Sequence, residues 1–198
     1  MSTAVHETVT QQEHQPAARS MGWYGMVFFI ASEAVFFANL FAAYLYLRVR
    51  AGGNLPHVQG AEIDKTLGAV NLVILLTSSV WMHFAVSNIK KGNKQRFSFF
   101  LFLTILFGLA FLGIQAFEYA NNNFGPSTGV IGSTFYTITG FHGAHVTAGL
   151  LFLSVLFVRS LRGDFTKDKH FAVTAGEMYW HFVDVIWVFV VTLLYFLQ

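Results

Sequence analysis

The sequence predicts an all-α membrane protein: a bundle of five helices, each crossing the bilayer. Three observations lead there. Hydrophobic residues make up 55% of the 198 residues and charged ones only 11%, where a soluble globular domain carries roughly 25% charge. Five apolar stretches stand out, at about 22–47, 67–89, 98–120, 134–158 and 175–197. Each exceeds the ~20 residues that an α-helix needs to cross a hydrocarbon core of about 30 Å. Short polar segments rich in Gly, Asn and charge separate them, as turns require.

Each stretch reads as a helix because a lipid-embedded segment must satisfy its own backbone N–H and C=O groups. Strands of a membrane barrel would be half as long and alternate in polarity, and these stretches do not alternate. The connections are RVRAGGNLPHVQGAEIDKT (48–66), KKGNKQR (90–96), NNNFGPSTGVIGS (121–133) and RSLRGDFTKDKH (159–170). Residues 1–20 are polar, lack the apolar core of a signal peptide and read as a disordered tail. The membrane domain is then 21–198. No internal repeat favours an inverted-repeat transporter. Cys is absent, which excludes disulfides and thiolate metal sites. A formal charge of +2 gives no basis for nucleic-acid binding.

Basic residues set an expected orientation. Arg19, Lys90, Lys91, Lys94, Arg96, Arg159, Arg162, Lys167 and Lys169 fall on one side, and Arg48, Arg50 and Lys65 on the other. The positive-inside rule then puts the N-terminus in the cytoplasm and the C-terminus, after five crossings, outside. Trp23, Tyr24, Tyr119, Tyr179 and Trp180 lie near expected helix ends and read as an interfacial aromatic belt.

Ionisable residues at membrane depth are costly and mark candidate sites. Glu33 lies about 11 residues, hence roughly 16 Å, into the first helix. It reads either as a neutral hydrogen-bonded acid filling a helix contact, or as a residue for lipid contact or proton handling. Glu177, His181 and Asp184 follow an i, i+4, i+7 spacing that places them on one face of the last helix. They read as a self-satisfied seam or as a proton-collecting stripe near the cytoplasmic entrance. His142, His145 and Gly149 share a face of the fourth helix, and Gly140, Gly143 and Gly149 would allow close helix approach. Histidine pairs raise the question of heme, and only His83 and His181 share an expected depth. No carboxylate stands one turn from the HGAH pair to build a metal site. Gln115 and Glu118 read as loop capping at the end of the third helix.

Ordered motifs add a resemblance: SEAVFF (32–37), IQAFEY (114–119), GSTFYTITGFHGAHVTAG (132–149) and YWHFVDVIWVF (179–189). Together they resemble subunit III of heme–copper oxidases, the cytochrome c oxidase and quinol oxidase family, in its short five-helix bacterial form. The resemblance covers about residues 22–198. It implies an accessory chain of a proton-pumping terminal oxidase in a bacterial plasma membrane, a complex that reduces oxygen to water. Such a chain binds neither heme nor copper; both reside in partner subunits. It packs directly on subunit I, beside subunit II and small subunits, in some cases within a supercomplex. Its helices open into a V-shaped cleft that holds phospholipid and guides oxygen, and the family's membrane glutamate maps onto Glu33. The implied roles are stabilising subunit I, holding lipid and supporting proton uptake, with His142, His145, Glu177, His181 and Asp184 as structural, lipid- or proton-related candidates. The short first connection and the tail depart from the pattern. Two other readings stay open: the small membrane subunit accompanying a nitric oxide reductase, and a b-type cytochrome ligated by His83 and His181.

Overall fold

A computed structural model describes residues 21–52 and 63–197. The expected tail (1–20) and most of the first connection lie outside the described residues. Five helices are long and apolar enough to span a membrane: α1 (Met21–Arg50), α2 (Lys65–Lys90), α3 (Lys94–Asn121), α4 (Gly129–Leu161) and α5 (Phe171–Val190), which runs on through a π-helical segment (Val191–Phe196). There is no strand among the described residues.

Local chemistry sets the helix ends. The Asp64 side chain accepts from the backbone N–H groups of Thr66 (2.8 Å) and Leu67 (3.2 Å) and so caps α2. Asn93 caps α3 through the N–H of Arg96. Gly92, at φ +79°, allows the reversal between α2 and α3 within three residues. Three helices, α3, α4 and α5, begin four or five residues earlier than their hydropathy indicates. In the first turn of α4 the hydroxyls of Ser133 and Thr134 donate to the Val130 carbonyl, so polar residues that read as a loop are satisfied inside the helix. In α5 the helix already starts at Phe171, because FAVT carries no charge that must leave the apolar layer.

α2 and α3 form an antiparallel hairpin, α3 packs on α4, and both α2 and α4 pack on α5. α1 touches only α4 and α5 substantially, and buries just Phe37 and Tyr44. At one end Gly22 of α1 abuts Phe171; at the other Tyr44 Oη donates to the Leu193 carbonyl in the π-helical segment (3.0 Å). α1 therefore runs parallel to α5, as an odd number of crossings requires.

Trp180 is the centre of the bundle. It is fully buried, its indole N–H donates to Ser78 Oγ (2.8 Å), and its ring lies in a slot between two glycines. A Cβ on Gly108 would fall 2.8 Å from the ring, and one on Gly149 3.0 Å. Gly149 thus has the close-approach role expected of it. Gly140 and Gly143 do not: a Cβ at Gly143 meets nothing within 4 Å and one at Gly140 only the Tyr119 hydroxyl at 4.0 Å. The aromatic belt is also corrected. Trp180 and Tyr179 are buried, Tyr179 Oη donates to the His145 carbonyl (3.0 Å), and Tyr119 shares a 2.6 Å hydrogen bond with Thr139. Interhelical packing and hydrogen bonds draw these rings inward; Tyr24, by contrast, is exposed.

Candidate functional site

The first site lies where α1 leans on α4. Glu33 Oε2 is 3.0 Å from His145 Nε2, and His145 Nδ1 is 2.7 Å from the Phe141 carbonyl. A carbonyl only accepts, so Nδ1 carries a hydrogen. The Glu33–His145 hydrogen bond then needs one proton, held either by the acid or by Nε2, and the pair has no net charge in both cases. Phe36 and Phe37 flank the His145 ring. One helical turn further along both helices an open cleft begins, lined by Met26 and Phe29 of α1, Ala148 and Phe152 of α4, and Tyr179 of α5. Its walls are apolar apart from the Tyr179 hydroxyl, which is turned to the His145 carbonyl. The polar pair lies one helical turn from this apolar groove.

The two histidines of HGAH separate. His145 faces Glu33, whereas His142 is wholly buried, stacked on Trp187 (centroids 4.8 Å apart) with Phe111 and Phe37 at its edges. Neither ring nitrogen of His142 has a protein partner.

The second site is the seam between α2 and α5. Glu177, His181 and Asp184 do come together, through a residue the sequence did not single out. Ser79 Oγ is 2.8 Å from His181 Nδ1 and hydrogen-bonds Asp184 Oδ2. Glu177 Oε1 lies 3.1 Å from His83 Nδ1 and 3.8 Å from His181 Nε2. The stripe grades inward, from His83 (70% side-chain exposure) and His181 (42%) to the buried Asp184. His181 lies level with Ser79 and His83 level with Glu177, so the two histidines expected at one depth stand about one helical turn apart, and both approach the Glu177 carboxylate. Both nitrogens of His181 are already turned to Ser79 and Glu177, which does not fit a ligand pair facing an iron between them.

Gln115 and Glu118 do not cap a loop. Glu118 is buried, and its Oε2 accepts from Gln115 Nε2 (3.0 Å) and Tyr195 Oη (3.0 Å), tying α3 to the π-helical segment. Ser79 left no sequence signal because a single hydroxyl in an apolar helix usually bonds its own backbone.

Fold and sites define a multi-pass helical membrane protein whose acids and histidines meet across helices beside an apolar cleft. The family model "Cytochrome c oxidase subunit III" matches residues 2–198. Proteins named cytochrome c oxidase subunit 3 from Dugong dugon, Gallus gallus and Homo sapiens are 39%, 38% and 37% identical, over 96% of this chain and 75%, 75% and 74% of theirs. The chain belongs to the cytochrome c oxidase subunit III family. It is thus a subunit of a respiratory-chain membrane oxidase, and its partners are other subunits of that complex. The match also takes in the tail, for which the motifs offered no counterpart.

Proposed function

We propose that this chain is the cofactor-free accessory subunit of its oxidase. It catalyses nothing itself, stabilises subunit I, which carries heme and copper, and holds phospholipid in the cleft between α1, α4 and α5. The observation that carries this reading is the cleft itself: apolar walls from three helices, with the Glu33–His145 pair, which has no net charge, one helical turn away. Acyl chains suit such walls, and a pair without net charge can sit at membrane depth at modest cost. The graded stripe from His83 and Glu177 to Asp184 supports a second role, in collecting protons for uptake by subunit I on the cytoplasmic side. Direct packing on subunit I, contact with subunit II and small subunits, and supercomplex membership belong to the same reading. So does a bacterial plasma membrane, with the N-terminus cytoplasmic by the basic-residue bias.

The test is lipid retention. In Ala148→Phe an aromatic ring fills the cleft. Native mass spectrometry of the purified complex is expected to show fewer phospholipids retained than in wild type. Equal retention, with the subunit still present, overturns the lipid-holding role.

A further inference from the structure

At the end of the bundle where α2 begins and α3 ends, a cavity is lined by Asp64, Leu67, Phe117, Glu118, Asn121, Asn122 and Asn123. Neither site above uses it. Its polar lining carries carboxylate and amide oxygens, and Asn121 and Asn122 each turn an amide N–H to a partner elsewhere. Glu118 is 1% exposed; its Oε2 is held by Gln115 and Tyr195, and its Oε1 has no partner. Asp64 spends Oδ1 on the α2 cap and keeps Oδ2. Asn121 donates its amide N–H to the Phe117 carbonyl and Asn122 donates to Tyr136 Oη, which leaves both side-chain carbonyl oxygens available. Among the described residues no ion pair joins Asp64 or Glu118 to a basic side chain.

An orphaned carboxylate oxygen, a second carboxylate across the same cavity and amide carbonyls with their N–H groups turned away are what an oxygen-seeking cation requires. Two acids facing one cavity repel when both are ionised, and a divalent ion removes that repulsion. Ca²⁺ accepts mixed carboxylate and amide oxygens in irregular geometry, whereas Mg²⁺ demands a regular octahedron. We propose that this cavity binds a Ca²⁺ ion through the carboxylates of Asp64 and Glu118 and the side-chain carbonyls of Asn121 and Asn122. The ion ties the start of α2 to the end of α3. Through Glu118 and Tyr195 it also reaches the C-terminal π-helical segment.

The experiment uses the whole purified oxidase containing this chain, stripped with chelator and titrated with radioactive Ca²⁺ by equilibrium dialysis. Wild type is compared with Asp64→Asn and Glu118→Gln, so that sites on other subunits cancel. Asp64→Asn is the decisive variant, because asparagine caps a helix as well as aspartate does and removes only the charge. The expected result is one fewer equivalent of bound Ca²⁺, or an affinity for that equivalent weaker by about tenfold or more, with the subunit still present on a gel. Glu118→Gln is expected to do the same. Identical equivalents and affinities in wild type and Asp64→Asn overturn the proposal, whatever Glu118→Gln does to assembly.

Discussion

α1 and α5 run parallel, and each carries an acid paired with histidine, yet they use that chemistry differently. α5 is enclosed: Val173, Trp180, Val183, Trp187 and Val190 are fully buried, and its polar groups reach into the α2 seam. α1 is an appendage that buries Phe37 and Tyr44 and leaves Phe28, Val35 and Val49 exposed. In membranes the apolar medium gives helices little hydrophobic reason to associate, so close packing and interhelical hydrogen bonds decide which helices cohere. α5 has both. α1 is held at its two ends and through the Glu33–His145 pair. The closely packed part of the molecule is therefore α2–α5, and the cleft opens where α1 is not fully drawn into it.

The largest expected effect tests the enclosed helix. Trp180→Ala empties the slot between Gly108 and Gly149 and leaves Ser78 Oγ without its indole donor. Loss of a buried tryptophan costs about 3–5 kcal/mol. The thermal unfolding midpoint of the detergent-solubilised complex is expected to fall for this subunit, or the subunit is lost from the complex. Unfolding unchanged from wild type would remove Trp180 from the centre of the fold.

A smaller effect separates charge from hydrogen bonding in the α2–α5 seam. Asp184→Asn keeps an oxygen to accept from Ser79, whereas Asp184→Leu leaves the Ser79 hydroxyl without that acceptor. A buried polar group deprived of its partner costs about 1–3 kcal/mol. The order expected in thermal unfolding is wild type and Asp184→Asn close together, with Asp184→Leu clearly lower. If the leucine variant is as stable as wild type, the seam is not held by this contact and its acids serve another purpose.

The five crossings were legible because length and apolarity alone decide them. Partner choice across helices was not legible. In a chain apolar on nearly every face, the 3.6-residue period no longer distinguishes lipid from neighbour. Hence Trp180, at a position where an interfacial tryptophan is common, proves to be the core. Hence too His142 and His145, three residues apart, diverge into an aromatic cage and a hydrogen-bond partner of Glu33. Glu33 and the Glu177–His181–Asp184 stripe were found because acids at membrane depth stand out against apolar neighbours. Ser79, which completes the stripe, and Tyr195, which holds the buried Glu118, carry no charge to betray them.

The smallest effect on stability is expected in α1, and it bears most directly on function. Glu33 is 26% exposed at its side chain and lies one helical turn from the apolar cleft. In Glu33→Gln the amide N–H can donate to His145 Nε2 while Nδ1 keeps its bond to the Phe141 carbonyl, so the hydrogen bond survives and only the transferable proton is lost. Unfolding should shift by less than about 0.5 kcal/mol, as for substitutions that break no buried network. Heme content of the complex should match wild type. What should change is endurance: fewer retained phospholipids, or a faster decline of oxygen consumption during sustained turnover. Because α1 packs so lightly, a fault there is expected to appear in what the cleft holds and not in whether the bundle forms. Loss of heme from the complex in Glu33→Gln would reverse that distinction and make α1 part of the structural core.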